Sequence, residues 1–334
     1  MNTMKKILLF HLSMLLCGAC QPDDEAAINR HGSVPEGVEP RQAMRDFVVG
    51  ISEYAKAAQP EFLIIPQNGI ELVTTNGEED GEPHAAYLAA TDGHGQEDLF
   101  YGYENDDQRT GEEDNQYLRG LLDVAKEAGN VVLVTDYCSS PAHMDDAYRR
   151  NQESGYVSLS ADHRELDHIP TYPSTIHQEN EAAVTSLTQV QNFLYLINPV
   201  AYHTKDAFIS AVTATNYDLL IMDLFFHDDT PFTAEEVEQL RRKANGGQRL
   251  VISYMSIGEA EDYRYYWQAT WNNDPPAWLD GENPNWEGNF KVKYWEAAWQ
   301  NMMYGNEEAY LQKILDAGFD GVYLDIIDAF EYYE

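Results

Sequence analysis

Basic residues are scarce: 21 Lys and Arg stand against 57 Asp and Glu, a formal net charge of −36. Phosphate backbones are bound by the opposite sign, so this balance argues against nucleic acid as a partner. Cysteine is scarcer still, with three in 334 residues. No stretch after residue 20 is apolar enough to span a bilayer, and no internal repeat or low-complexity block is present. Also missing after residue 20 are His-Glu-x-x-His, paired-Cys metal spacing, a P-loop, Gly-x-Ser-x-Gly and Gly-x-Gly-x-x-Gly. The runs His227-Asp228-Asp229 and His143-Met144-Asp145-Asp146 are of the kind that acid-rich loops produce by chance. Neither a metal nor a cofactor is therefore expected. What the chain does have is 43% hydrophobic and 12% aromatic residues, with 22 Tyr and 6 Trp. That suffices for a large core and for surfaces that stack on flat apolar faces such as sugar rings.

The first nineteen residues read as a signal peptide. Lys5 and Lys6 precede the apolar run Ile7 to Leu16, and Gly18-Ala19 leads into Cys20. A Cys after Gly-Ala resembles the lipobox of bacterial lipoproteins, although Cys17 stands where Leu is usual. An ordinary signal peptide cleaved nearby is the alternative. Gln21-Pro22-Asp23-Asp24-Glu25 resembles the acidic export tag of some surface lipoproteins. The expectation is lipidation at Cys20, a flexible acidic tether over 20–40, and a secreted protein held to the outer membrane, at the cell surface, only by that anchor. Cys138 is then the one thiol left, so no internal disulfide can form.

From residue 41 onward, amphipathic helices alternate with short β-branched strands, the pattern of a parallel α/β fold. Helix 41–58 presents Phe47, Val48, Ile51 and Tyr54 on one face. Strands are expected at Phe62–Pro66, Tyr87–Ala90, Val131–Thr135, Tyr156–Ser160, Phe193–Ile197, Leu219–Asp223, Leu250–Tyr254, Phe290–Tyr294 and Gly321–Asp325. Helices are expected at 115–128, at Thr233 to Lys243 with Thr233 and Glu236 as a capping box, and at 306–316. That is one strand too many for a (β/α)8 barrel, with Tyr156–Ser160 or Phe290–Tyr294 the extra one. Residues 170–190 are polar and aperiodic and read as a linker. The last strand has no helix after it, and the first helix has no strand before it. Each end supplies what the other lacks.

Polar residues gather where these strands end: Gln67 and Asn68, Glu97 and Asp98, Asp136 and Tyr137, Asp223, Tyr254 with Glu259 and Glu261, and Asp325 with Asp328. In a parallel barrel such ends meet on one face. Converging acids with Tyr, Gln and Asn suit a sugar site. Glycosidic cleavage needs one carboxyl to protonate the leaving oxygen and another to attack or to aim water. Crowding raises the pKa of at least one of them. Trp267, Trp271, Trp286, Trp295 and Trp299 are candidates for sugar stacking, although such residues commonly pack a barrel rim. Arg264 reads as an ion-pair partner of Glu259 and Glu261.

Three segments resemble one known family: Tyr254-Met255-Ser256-Ile257-Gly258-Glu259-Ala260-Glu261-Asp262-Tyr263-Arg264-Tyr265-Tyr266-Trp267, then Asn285-Trp286-Glu287-Gly288-Asn289 to Tyr294-Trp295, and Gly318-Phe319-Asp320-Gly321-Val322-Tyr323-Leu324-Asp325-Ile326-Ile327-Asp328. The family is the endo-α-1,4-polygalactosaminidase-like group, glycoside hydrolase family 114, whose members are TIM barrels. Pro66-Gln67-Asn68-Gly69, Glu97-Asp98-Leu99-Phe100-Tyr101-Gly102, Thr135-Asp136-Tyr137-Cys138 and Arg164-Glu165-Leu166-Asp167 match it as well. In the family, however, the segments numbered here 41–169 follow the Leu-Asp-x-x-Asp strand. The resemblance therefore implies a single (β/α)8 TIM-like barrel over 41–334 in circularly permuted order: 41–169 is the second half of the family order, 170–190 the linker and 191–334 the first half.

Carried over by motif, the catalytic pair falls on Asp325 and Glu97, with Asp328 an alternative to Asp325. Asp223, Tyr254, Glu259, Gln67, Asn68, Asp136, Tyr137, Asp328 and Trp267 are the expected substrate-binding residues. The implied substrate is a poly-α-1,4-galactosamine. Its free amines are cationic, so an acidic surface would attract the polymer, whereas solubility or a salty habitat explains the same acidity without a substrate. Two other readings stand beside this one: hydrolysis of another α-linked glycan, and a surface glycan-binding lipoprotein whose catalysis has lapsed.

Overall fold

The computed structural model describes residues 34–227 and 230–334. Cys20, the expected signal peptide and most of the expected tether lie outside them, as do Asp228 and Asp229. Eight strands make up two all-parallel sheets. One runs in the order β5 (Phe193–Tyr195), β6 (Leu219–Asp223), β7 (Leu250–Ser256), β11 (Gly321–Asp325), β1 (Leu63–Pro66). The other holds β2 (Gly93–Glu97), β3 (Val131–Tyr137) and β4 (Val157–Ala161). A parallel bridge between Gln67 and Gly95 joins β1 to β2. Among the described residues no hydrogen-bonded ladder closes β4 onto β5. The arrangement is consistent with a TIM-like fold.

One interior cluster draws on seven of these strands: Ile65, Leu133, Leu159, Phe193, Ile221, Ile252 and Tyr323 are all buried in it. The eighth strand, β2, gives glycine on that face. A Cβ at Gly95 would lie 2.0 Å from the Tyr323 hydroxyl, so a bare backbone is what admits that ring.

Helices α1 (Pro40–Ala58), α2 (Ala85–Ala90), α3 (Glu112–Glu127), α4 (Pro141–Ser154), α5 (Lys205–Thr213), α6 (Ala234–Leu240), α7 (Ala297–Met303) and α8 (Tyr310–Asp316) separate the strands. The capping box at Thr233 and Glu236 is present at α6. Helix α1 buries Phe47, Val48 and Ile51, with Tyr54 partly covered. Among the described residues no helix is long and apolar enough to cross a membrane.

The pairing that chain order predicts is present. β1 lies parallel to β11, Leu63 opposite Gly321 and Pro66 opposite Leu324. Arg41 is ion-paired with Glu334 at 2.8 Å. Tyr54 donates to Gln312 Oε1 at 2.7 Å, which fixes α1 on the element before the last strand.

Two expectations need correction. Tyr87–Ala90 is the end of a short helix, and the strand is the next segment, Gly93–Glu97. Its sequence, Gly-His-Gly-Gln-Glu, carries none of the β-branched residues that mark a strand; it is recruited by its neighbours, which bury all five positions. Phe290–Tyr294 is not a ninth parallel strand. It overlaps β10 (Asn289–Val292), the centre of an antiparallel sheet with β8 (Glu259–Glu261) and β9 (Leu279–Glu282). Tyr156–Ser160 is accordingly β4 and belongs to the parallel set.

Candidate functional site

Strand exits build the site. Immediately after β1, β2 and β11 the chain turns through left-handed conformations at Asn68 (φ 58°), Asp98 (φ 60°) and Ile326 (φ 57°). A β-branched residue there is strained by about 1–3 kcal/mol, and Ile326 directly follows Asp325. Gly258 is what allows the close pass: a Cβ on it would meet the Ile326 carbonyl oxygen at 2.0 Å. The glycine of the Ser-Ile-Gly-Glu segment thus seats the β7 loop against the β11 exit, where Ile257 N–H donates to the Asp325 carbonyl at 3.0 Å.

Glu97 ends β2 with no solvent exposure. Its Oε2 accepts from Gln67 Nε2 at 2.6 Å and from Asn68 Nδ2 at 3.0 Å, and its Oε1 bonds the Tyr137 hydroxyl. Burial raises its pKa, and the Asp98 charge adds to the rise. Asp325 is 2% exposed. Tyr254 donates to its Oδ2 at 2.6 Å, while Oδ1 is buried without a hydrogen-bond partner. Burial lifts its pKa well above the carboxylate range, and the Glu97 charge is the next largest cause. The charge of Glu97 therefore reaches Asp325 across the strand ends. Tyr195, whose hydroxyl donates to Gln67 Oε1 at 2.8 Å, links the two sides from β5.

A cavity of about 490 Å³ opens beside this pair. Asn68, Tyr254, Glu259, Asp325 and Asp328 line it, so these expected site residues do come together. Its walls also carry Glu71, Asp114 and Glu331, with Lys291 as the one cation among the lining residues. Burial and the neighbouring Asp328 push Glu331 up to about 8. Glu259 is 2% exposed; Asn283 donates to its Oε1 at 2.8 Å, and Oε2 has no partner. A second cavity, of about 470 Å³, lies at the opposite ends of β3 and β4 and has no carboxylate in its lining.

Other expected residues stand apart from the cavity. Asp136 Oδ1 accepts from the backbone N–H groups of Phe100 (2.7 Å) and Tyr101 (3.0 Å), and its Oδ2 accepts from Asn151 Nδ2 (2.7 Å). It braces the loop after β2. Asp223 is ion-paired with Arg264 at 2.7 Å. Arg264 also binds Glu261 rather than Glu259, which corrects one expected partner. Trp267 packs on Phe290 and Trp271, with ring centroids 4.8 and 5.2 Å away. Of the five tryptophans considered for stacking, only Trp286 lines the cavity. Gln96, Tyr103, Tyr117 and Tyr332 line it too, unforeseen because they sit within or beside elements that had no strand-end signal.

Residues 173–333 match the model of glycoside-hydrolase family GH114. Over these residues the chain is similar to that family. Three relatives align with parts of the chain. An uncharacterized protein of Methanocaldococcus jannaschii is 39% identical over 157 residues, covering 46% of this chain and 42% of that protein. An uncharacterized protein of Deinococcus radiodurans is 45% identical over 123 residues, 37% of each chain. A third, from Thermotoga maritima, is 33% identical over 132 residues, 40% of this chain and 39% of that one. The match thus spans less than half the length of each relative. The GH114 segment contributes Asp223, Tyr254, Glu259, Asp325 and Asp328, whereas Gln67, Asn68, Glu97, Asp136 and Tyr137 lie before it.

Proposed function

We propose that this chain is a glycoside hydrolase that cleaves an α-linked polymer of a cationic amino sugar, of the poly-α-1,4-galactosamine type. Glu97 protonates the departing glycosidic oxygen, and Asp325 attacks the sugar carbon or aims water at it. The observation that carries this reading is the pair itself: two buried carboxyls at parallel strand exits, the charge of Glu97 acting on Asp325, beside a carboxylate-lined cavity. Burial of both carboxyls keeps a proton on the pair above the usual carboxylate range, available to an acid catalyst, and the carboxyl that ionises first is the one free to attack or act as base. A hydroxyl can donate or accept, so Tyr137 can serve Glu97 in either protonation state. The abundance of carboxylates over cations around the cavity favours free amines over neutral acetamides. Similarity of residues 173–333 to a glycoside-hydrolase family points the same way.

The chain order also supports reading the protein as a circular permutant of that family, since β1 takes the place beside β11 that a following strand would take. Lipidation at Cys20 and display on the outer membrane remain part of this proposal. Fatty-acid labelling of the native chain, lost in Cys20→Ala, is its check.

One observation favours the binding reading. Glu97 has both oxygens engaged and does not line the cavity, as would suit a glycan-binding protein without turnover. Incubation of the purified chain with partly deacetylated α-1,4-galactosamine polymer separates the two. Hydrolysis releases oligomers with new reducing ends; a binding protein retains the polymer and releases none.

A further inference from the structure

Outside the cavity, the loop after β4 gathers His163, Asp167 and His168, whose ligand atoms all lie within 4.8 Å of one another. His163 Nδ1 is 3.2 Å and His168 Nδ1 2.7 Å from the same Asp167 oxygen, Oδ1. The other nitrogen of His168, Nε2, is 3.1 Å from Asp162 Oδ1. A neutral imidazole has one N–H. If Nε2 carries it to Asp162, Nδ1 is a lone pair facing a carboxylate oxygen, and that contact requires a positive charge between them. Either a second proton or a cation supplies it.

The second case matches a common metal-site plan, in which a carboxylate orients a ligating imidazole through its far nitrogen. Imidazole and carboxylate donors suit Zn(II) and its first-row neighbours rather than Mg(II) or Ca(II). The loop is also held in place before any ion arrives. Leu166, at φ 49°, is plugged into the interior cluster. Asn198 binds the carbonyls of Glu165 and Leu166, and Arg164 reaches Asp98 at 2.7 Å. The His163 side chain is 57% exposed, which leaves an approach from solvent.

We propose that His163, Asp167 and His168 form a transition-metal site, filled by Zn(II) or a similar ion with water completing the sphere. Asp162 orients His168 within it. The site is separate from the chemistry at Asp325 and Glu97; its ion ties the β4 loop together, and Arg164 rides on that loop. Binding displaces protons from the imidazoles and so weakens in acid.

The test is equilibrium dialysis of the full chain against micromolar Zn(II), with Co(II) absorption as a report on coordination. The native protein retains one equivalent with a tetrahedral Co(II) spectrum, and its thermal midpoint rises by a few degrees with metal. His163→Gln with His168→Gln abolishes both effects while circular dichroism stays native. Asp162→Asn keeps the fold and weakens binding by about 10–100-fold. No retained equivalent in the native chain overturns the proposal, and so does an equivalent that persists in the double variant.

Discussion

Glu259 closes one wall of the cavity with a buried carboxylate oxygen that no protein donor reaches. An ammonium on the substrate would satisfy it, in a charge-assisted bond worth about 1.5–3 kcal/mol. Glu259→Gln is therefore expected to lower kcat/KM on deacetylated polymer by about 10–100-fold and to change it far less on the acetylated form. Parallel assays on the two polymers check this. At Glu97 the sign of a pH effect follows from its neighbours. Burial and the Asp98 charge both raise its pKa, so the pair with Asp325 holds a proton above the usual carboxylate range and titrates as a unit. Asp98→Asn removes one raising cause and leaves the Arg164 cation nearby. The basic limb of the kcat/KM profile should then move to lower pH; a limb that stays or rises would place the titrating proton elsewhere. The meeting of Gln67, Asn68, Tyr254 and Asp325 around Glu97 and the cavity was legible because each stands at the end of an apolar strand. Tyr195 was not, because a tyrosine inside a strand looks like core until its hydroxyl is seen to bond Gln67, which itself donates to Glu97.

Among the elements, β2 shows where reading by composition fails. A strand of Gly, His, Gly, Gln and Glu has neither alternation nor branching, so Tyr87–Ala90 looked the better candidate. The glycines answer a packing need that only the assembled sheets reveal. Gly95→Ala would force a methyl into the Tyr323 ring and should cost about 1–3 kcal/mol by overpacking, read as a lower denaturant midpoint. An unchanged midpoint would mean the ring moves freely, and the interior is less tightly filled than described. The strands β5, β6, β7 and β11 were readable because each is a continuous apolar run covered on both faces. Asp136 illustrates the converse. Its position at a strand end resembles a site, yet its oxygens serve two backbone N–H groups and Asn151. Only the fold distinguishes the two uses.

For the whole molecule, the two halves of the chain each bring one carboxylate to the same group of strand exits. β11 carries Asp325, β2 carries Glu97, and β1 lies between them, paired to β11 by a ladder and to β2 by a single bridge. The Arg41–Glu334 pair shows how little chain would be needed to join the ends. A permutant with 334 linked to 41 and new termini within 170–190 should fold and melt cooperatively, as circular dichroism would show. Failure to fold would mean that 170–190 is required as a connection and not only as a tether between halves. The most direct test of the central claim is turnover of deacetylated polymer by Asp325→Asn and Glu97→Gln. If the two carboxyls act together, each variant keeps the native fold and loses at least about 10²–10⁴ in rate. Near-native turnover by either variant would contradict the account and remove that residue from the chemistry.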